Sequence, residues 1–289
     1  RAFGTMIAIG WHASMEAGKT LVSYATSKTL AAKERSSVKY LHYLEGLLPK
    51  LHEVALLYRE GLCTLFPAAY TRMGNEASIR DIAEWSDIAF DGTNVKNPFA
   101  NALVVTHNDF CNFLHRDRDE IEVAYGMWWA ANFDAELNTW LFDPSVDHKD
   151  IEGGQFLWGE YGVMVDFERS SGLVDIFWRG KKDRHSTMRS TSPRATARFG
   201  TSVQITAAGA AAFRRFWETD ESKRRSVLTT MAGPTEVLAQ GHKRAILNRR
   251  RYTCSISSFR YRERRIHGFH PKRRKVACYM AGAKRNPAM

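Results

Sequence analysis

The chain has 289 residues, of which 44% are apolar and 25% are charged, proportions typical of a globular protein with a substantial core. No run of residues approaches the roughly 18 to 20 uncharged apolar positions that a transmembrane helix needs. The four cysteines are too few and too scattered for a disulfide framework or a zinc knuckle, which indicates a reducing compartment, the cytosol or the nucleus.

The net charge of +11 is concentrated at the C-terminal end of the chain. Residues 241–289 contain fifteen lysines and arginines and a single acid, Glu263, whereas the preceding residues carry slightly more acids than bases. Such a segment attracts nucleic-acid phosphates in a salt-dependent way. We predict one domain over 1–240 and a basic, disordered tail over 241–289. Because the chain begins with Arg1 and has no signal-peptide pattern, we expect a fragment that lacks its natural N-terminus.

The first hundred residues are predicted to form a helical layer. In residues 21–60, apolar side chains recur every three or four positions, and Pro49 is expected to separate two helices. A further helix is predicted over 76–89. Its apolar face would contain Ile79, Ile82, Ala83 and Trp85.

From about residue 101 the sequence changes to short β-rich runs separated by Gly, Asn, Asp and Ser. The predicted strands are 102–106, 124–130, 162–167, 173–178 and 198–206. Residues 167–173 are expected to form a hairpin connection with Gly172 at positive φ. Residues 207–231 return to a helical pattern. Many short strands between helices favour an α+β fold with a β-sandwich or barrel over 101–206.

A histidine and an aspartate two positions apart, His115 and Asp117, form the central chemical motif of the chain. In an extended segment they point to the same side, so the imidazole and the carboxylate can bind one ion. His185, from a distant strand, would complete two histidines and one carboxylate on one face of an octahedral metal. The open positions then suit a 2-oxo acid and O2, as in non-haem Fe(II) oxygenases. Such a pair also occurs by chance, and the alternative is that all three residues lie on solvated, charged loops.

A 2-oxo acid requires a cation for its distal carboxylate, and Arg198 is the preferred candidate. Alternation along 198–206 places Arg198 on a small, polar face, as the interior of a ligand-binding barrel requires. Arg194 is the competing candidate, but it follows Pro193 in an expected loop.

Several stretches resemble, in order, the TET/JBP family of nucleic-acid dioxygenases, and most closely its expanded fungal branch. They are NDFCNFLHRDRD at 108–119, AYGMWW at 124–129, GGQF at 153–156, YGVMVDF at 161–167, IFWRG at 176–180, HST at 185–187 and RFGTS at 198–202. The resemblance implies a double-stranded β-helix (jelly-roll) core flanked by N-terminal and C-terminal helices. The interval between Asp117 and His185 is longer than in compact members of the superfamily, which implies an insertion around 131–155.

By position in these motifs, the resemblance implies that His115, Asp117 and His185 hold Fe(II) and that Arg198 binds the co-substrate 2-oxoglutarate. Residues 114–120 also resemble the metal motif of AlkB-type DNA demethylases, in which an acid two positions past the metal-binding aspartate contacts the exocyclic amine of the base. Here that acid is Asp119, and the competing interpretation is a solvated side chain in a charged run. The motifs do not identify a second contact to 2-oxoglutarate.

The activity that the resemblance implies is oxidation of methylated bases in DNA, with RNA as an open alternative. 5-Methylcytosine would become 5-hydroxymethylcytosine and more oxidised products, and N6-methyladenine would be demethylated. The base must leave the duplex to reach a buried metal, and Trp128 or Trp129 is a candidate for stacking on it, although at least one is expected to be core. We further expect a nuclear monomer that does not contact membranes.

Two other classes of function fit parts of the sequence. Residues 13–20 (ASMEAGKT) approximate the phosphate-binding loop of an NTPase without its first glycine. That loop would need a following helix and a parallel βαβ arrangement. The non-enzymatic alternative is a transposon-associated nucleic-acid-binding protein that has lost turnover and acts through its basic tail.

Overall fold

The computed structural model describes residues 3–24, 38–87, 90–137, 139–143 and 146–232. The predicted tail and domain boundary lie outside these residues, as do residues 25–37 of the predicted N-terminal helices. The strands are β1 (Phe3–Ala13), β2 (Leu21–Tyr24), β3 (Ala102–Cys111), β4 (Asp119–Asp134), β5 (Thr139–Phe142), β6 (Glu152–Gly153), β7 (Phe156–Trp158), β8 (Val163–Val165), β9 (Val174–Arg179), β10 (His185–Thr187), β11 (Ser190–Thr191), β12 (Thr196–Thr206) and β13 (Leu228–Ala232). The helices are α1 (Val38–Leu65), α2 (Pro67–Ile79), α3 (Ala207–Glu218) and α4 (Glu221–Arg224), with 3-10 turns at His148–Asp150, Phe167–Arg169 and Arg225–Val227.

Eight of these strands form one large sheet. Its path is β13-β2-β1-β3-β12-β4-β5, and β9 also pairs with β4. Among the described strands of this sheet, neighbours are antiparallel except for β13 with β2. Central strand β12 aligns Gly200 with Thr106 of β3 on one side and with Trp128 of β4 on the other. Strand β12, which carries Arg198, is therefore held between two antiparallel neighbours.

Two smaller sheets, β10-β7-β8 and β11-β6, complete the β-structure. Side chains of the large sheet, of β7 and of the 3-10 turn at Phe167–Arg169 together form one buried, mainly aromatic cluster. Its members are Ala124, Trp128, Phe156, Trp158, Phe167, Val174, Ile176 and Trp178. A large antiparallel sheet closed over such a core by short strands is a jelly-roll. The predicted α+β fold with a double-stranded β-helix core is therefore confirmed.

The helices cover the opposite face of the large sheet. In α1 the buried residues Leu51, Ala55, Tyr58 and Leu62 recur at four- and three-residue spacing, so one face of the helix packs on the sheet. Burying each large apolar side chain contributes about 1.5–3 kcal/mol, which fixes this helical layer on the sheet.

The predicted N-terminal helical layer is wrong over its first part. Residues Phe3–Ala13 form a strand that pairs with both β2 and β3, and Leu21–Tyr24 is also a strand. Because β1 pairs with β2 on one edge and with β3 on the other, the backbone amides and carbonyls of this apolar run form their hydrogen bonds without a helix. The predicted break at Pro49 is wrong as well, because α1 continues through it. Proline removes one helical hydrogen bond, a local cost, and the packed stripe that begins at Leu51 holds the next turn on the sheet.

The predicted helix over 76–89 is also wrong beyond its first turn. Helix α2 ends at Ile79, and Asp81 then adopts a positive φ of 47°. Ile82 and Trp85 are buried in a non-helical segment that forms a bridge between Ala83 and Pro98. Ile79, which the prediction placed on the same face, is 77% exposed. Periodicity alone does not distinguish a buried irregular segment from a helix.

The predicted helix over 207–231 and the predicted hairpin over 167–173 need correction. Helix α3 ends at Glu218, because Asp220 caps a separate short helix by accepting from the Ser222 amide. Strand β13 follows and lies beside β2. Residues 167–173 carry the chain from β8 in a small sheet to β9 in the large sheet, so those strands do not form a hairpin. The positive φ of Gly172, 69°, is confirmed.

The NTPase alternative is contradicted by residues 14–20. They join the antiparallel strands β1 and β2, and the Ser14 amide donates to the Thr20 carbonyl at 3.1 Å. A strand follows this loop, so it lacks the helix N-terminus that a phosphate-binding loop requires. None of the described helices is both long and apolar enough to cross a membrane.

Candidate metal centre

Two neighbouring chain segments bring the three predicted metal ligands together. His115 and Asp117 lie between β3 and β4, and His185 opens β10. The His115 amide donates to the His185 carbonyl at 3.0 Å, and the His185 amide donates back at 2.9 Å. The Asp117 amide donates to the Gly180 carbonyl at 2.8 Å. Main-chain pairing therefore sets the separation of the side chains.

The ligand atoms converge on one point. Asp117 Oδ1 lies 3.3 Å from His115 Nε2, and Asp117 Oδ2 lies 3.2 Å from His185 Nε2. One ligand atom from each residue falls within 4.8 Å of the others. Two imidazoles and one carboxylate at this spacing are the donor set that suits non-haem Fe(II) with open coordination positions.

The second nitrogen of each imidazole determines its tautomer. His115 Nδ1 lies 2.7 Å from the Phe113 carbonyl oxygen, and His185 Nδ1 lies 2.9 Å from the Asp183 carbonyl oxygen. Because a carbonyl only accepts, each Nδ1 carries a proton, so Nε2 of each neutral imidazole is the nitrogen left to bind a metal at the centre. The residues present therefore fit a divalent iron ion.

The electrostatics of the centre favour an ionised carboxylate. Burial would raise the pKa of Asp117, but the hydrogen bonds and charges of His115 and His185 outweigh burial and hold this pKa well below its usual range. Burial would likewise lower the pKa of His115, but the Asp117 carboxylate raises it overall. An anionic ligand flanked by two imidazoles is ready to receive a cation.

The centre is enclosed on one side only. The His185 ring is 5.6 Å from the rings of both Phe156 and Trp178, and only 5% of its side chain is exposed. The Trp178 indole also donates to Asp117 Oδ2 at 3.4 Å. The His115 side chain is 31% exposed, so the centre is open to solvent on the His115 side.

Asp119 is buried beside the centre, which contradicts the interpretation that it is solvated in a charged run. It is 2% exposed, and neither carboxylate oxygen has a hydrogen-bond partner in the described part of the chain. Burial and then the negative charge of Asp117 raise the pKa of Asp119 well above its usual range. A buried carboxylate of this kind lacks a donor, which a ligand could supply. Contact with substrate stays a prediction.

Arg198 occupies the interior face of β12, as alternation predicted. Its Nε donates to His148 Nδ1 at 3.1 Å, and its terminal nitrogens donate to the carbonyls of Gly153 at 2.5 Å, His148 at 2.9 Å and Ile151 at 3.0 Å. Four of the five donors of the guanidinium are thus used. In the described residues no carboxylate forms an ion pair with it, although it is only 7% exposed. Burial lowers the pKa of Arg198 to about 10, so it remains a cation, and one donor of its guanidinium is left for an anionic ligand.

The structure adds His148, which the sequence analysis missed. It lies in the 131–155 region and is fully buried; its Nε2 donates to the Gly172 carbonyl at 3.0 Å while its Nδ1 accepts from Arg198. Burial and then the charge of Arg198 lower the pKa of His148 to about 4, so it is neutral. In the sequence, only its position five residues before the GGQF motif at 153–156 could have indicated a role for His148 at the site. His148 orients Arg198.

The remaining candidates do not face the centre. Arg194 is exposed in the loop that precedes β12. Trp128 is 5% exposed and packs 5.3 Å from Phe156 within the jelly-roll, which agrees with the expectation that one tryptophan is core. Trp129 points to the opposite face and stacks 5.7 Å from Phe199.

No curated protein matches the chain. Among solved structures, a prolyl-4-hydroxylase from Pseudomonas putida is similar at 14% identity with a TM-score of 0.24, over 36% of this chain and 50% of that chain. The similarity thus spans half the length of that hydroxylase.

A family model described as the Tet-like 2OG-Fe(II) oxygenase superfamily matches residues 1–190. The match covers most of the chain and includes His115, Asp117 and His185, the three side chains that converge in the structure. The superfamily uses Fe(II) and 2-oxoglutarate, and its members are 2-oxoglutarate-dependent dioxygenases. The chain belongs to the Tet-like 2OG-Fe(II) oxygenase superfamily.

Proposed function

We propose that the chain oxidises methyl groups on bases in DNA, with 2-oxoglutarate and O2 as co-substrates. The observation that carries the proposal is the convergence of His115, Asp117 and His185, with both Nε2 lone pairs directed to one point. The choice of a DNA base is supported by the resemblance of residues 100–206 to the fungal TET/JBP branch and by the buried carboxylate of Asp119.

When bound, Fe(II) activates O2, so that 2-oxoglutarate becomes succinate and CO2 and one oxygen atom enters a C–H bond of the methyl group. His115, Asp117 and His185 would hold the metal. Arg198 would bind the distal carboxylate of 2-oxoglutarate, and His148 would keep that guanidinium in place. On 5-methylcytosine the product is 5-hydroxymethylcytosine, which can be oxidised further. On N6-methyladenine the hydroxymethyl group leaves as formaldehyde, and adenine remains.

Asp119 would read the base. A flipped-out cytosine or N6-methyladenine presents an exocyclic N–H, and a carboxyl oxygen of Asp119 can accept from such a donor. The two oxygens of Asp119 are available for this contact because the described residues leave them without donors. We expect Asp119→Ala to reduce base oxidation about tenfold, because the variant removes the acceptor and leaves the N–H of the base without a partner. Metal affinity and succinate formation without DNA should persist, since Asp119 is not one of the converging ligands.

The test of the proposed function uses the full chain with Fe(II), 2-oxoglutarate, O2 and duplex DNA that carries either methylated base. Nucleosides and succinate are measured by mass spectrometry, and His115→Ala is the blank. Hydroxymethylcytosine or unmethylated adenine only with the wild type would support the proposal and identify the base. Succinate without a base product would contradict the DNA substrate and direct the search to RNA or another methylated molecule.

The competing function is nucleic-acid binding without turnover. It rests on the basic residues 241–289, which lie outside the described residues. Absence of both succinate and base product in the same experiment would favour it. Nuclear location and a monomeric state belong to the proposed function as expectations, and cell fractionation and sedimentation would test them.

A further inference from the structure

The turn between β9 and β10 presents the metal ligand His185. The amides of Lys182 and Asp183 both donate to the Arg179 carbonyl, at 2.9 and 2.8 Å, and close the turn. The Asp183 carbonyl then accepts from His185 Nδ1 at 2.9 Å. The turn therefore positions the Asp183 carbonyl oxygen, and this oxygen fixes the tautomer of the metal ligand His185.

The Asp183 side chain is held by two neighbouring residues. Arg179 donates from Nε to Oδ2 at 3.0 Å and from a terminal nitrogen to Oδ1 at 2.7 Å, a two-pronged pair. The Tyr161 hydroxyl donates to Oδ1 at 2.9 Å and accepts from Arg179 at 3.2 Å. The Asp183 side chain is 1% exposed, so solvent screens these contacts little.

This network joins three parts of the chain. Arg179 ends β9, Tyr161 lies three residues after β7, and Asp183 lies two residues before β10. Trp158 of β7 pairs directly with His185, so the network and the β-ladder fix the same imidazole from two directions.

We propose that Arg179, Asp183 and Tyr161 are positioning residues that set the metal affinity of the centre by holding the Asp183 carbonyl against His185 Nδ1. Groups that orient a metal-binding histidine typically change metal affinity about 10- to 100-fold. The inference rests on the metal centre alone and is independent of which substrate is oxidised.

The experiment is a Co(II) titration of the metal-free full chain without 2-oxoglutarate or DNA, followed by visible absorption. Asp183→Asn keeps the size of the side chain but loses its charge, and Arg179→Lys loses the two-pronged geometry. We expect both variants to bind Co(II) at least about tenfold more weakly, with an altered absorption spectrum. Lys182→Gln is the matched control. The Lys182 side chain lies in the same turn, is 54% exposed and pairs with Glu122, outside the network. The Lys182→Gln variant should therefore bind Co(II) with wild-type affinity.

Circular dichroism and the Tm of the metal-free protein separate positioning from folding. Folded Asp183→Asn and Arg179→Lys proteins with wild-type Co(II) affinity and spectrum would overturn the proposal. If Asp183→Asn does not fold, Arg179→Lys and Tyr161→Phe decide, because both leave the Asp183 carboxylate in place. Weaker Co(II) binding in both supports positioning, and unchanged binding in both overturns it. No DNA enters the measurement, so its result is separate from that of the proposed function.

Discussion

At the scale of single residues, the metal centre depends on the absence of a side chain at Gly180. A Cβ there would lie 2.5 Å from Asp117 Oδ2 and 3.1 Å from Asp119 Oδ2. Both carboxylates approach the same small space, and the carbonyl of Gly180 accepts from the Asp117 amide. One position therefore controls the placement of the metal-binding carboxylate and of its buried neighbour.

Gly180→Ala should displace Asp117 and weaken metal binding by about 10- to 100-fold, the range found when a ligand loses its orientation. Isothermal titration with Mn(II) would measure this loss. Gly74→Ala is the control, because its Cβ would meet nothing within 4 Å in helix α2. This control should gain about 0.5–1 kcal/mol of stability and bind the metal normally. Wild-type metal affinity in Gly180→Ala would show that the close approach is not a constraint.

His148 makes stability depend on pH. Its pKa is about 4 in the folded protein against 6.5 for the ordinary side chain, so between these values the unfolded chain binds a proton that the folded chain does not. The free energy of unfolding should therefore fall as the pH decreases from 6.5 towards 4. One pKa unit corresponds to about 1.4 kcal/mol, so His148 should account for about 2 kcal/mol of the loss between pH 7 and pH 5.

Urea denaturation at pH 7 and pH 5 would measure this difference for the wild type and for His148→Gln. The variant is expected to be less stable at pH 7 because the contact to Arg198 changes, but its stability should depend less on pH. An equal pH dependence in both proteins would contradict the neutral state of His148.

At the scale of elements, strand β1 is an integral part of the large sheet although its sequence predicted a helical layer. Gly10 of β1 has a φ of 104°, and a Cβ there would lie 2.4 Å from the Asn101 carbonyl oxygen and 2.5 Å from Trp85 Cβ. Gly10→Ala should therefore cost more than about 2 kcal/mol, as overpacking and an unfavourable φ combine. Gly18→Ala has a similar positive φ of 75° but open space around it, and it should cost about 1 kcal/mol. Guanidinium denaturation of the two variants would separate them, and equal losses would place Gly10 outside the packed sheet.

The elements that the sequence predicted well share a simple physical origin. Strands β4, β9 and β12 alternate between two buried faces, and that period is visible in the chain. Strand β1 and the segment after α2 were missed because their conformation depends on partners far away: β1 lies between β2 and β3, and Trp85 is buried outside any helix. The conformational preferences of neighbouring residues do not predict such long-range contacts.

The same distinction applies to the site. His115, Asp117 and His185 were found because metal chemistry restricts ligands to a few residue types at characteristic spacing. His148 and Asp183 were missed because main-chain carbonyls carry part of their role, as acceptors from Arg198 and from His185. A carbonyl oxygen is present in every residue, so its use becomes visible only in three dimensions.

At the scale of the whole molecule, two faces of one sheet have separate tasks. One face packs on the helices, whereas the other joins the small sheets around an aromatic core and carries Arg198. The metal ligands lie where the segment before β4 meets the start of β10, at the edge of that core. The centre is thus held by main-chain pairing with β10 and with Gly180, which follows β9, and it is open on the His115 side.

The most direct test of the account follows oxygen atoms during turnover of methylated DNA under oxygen-18 gas. The proposed centre predicts one labelled atom in succinate and one in the hydroxymethyl group of 5-hydroxymethylcytosine. With N6-methyladenine the label is followed in succinate alone, because formaldehyde exchanges its oxygen with water. Neither product should appear with His185→Ala, which lacks one ligand of the centre. Unlabelled succinate, or label in products of the His185→Ala protein, would contradict the assignment of His115, Asp117 and His185 as the oxygen-activating centre.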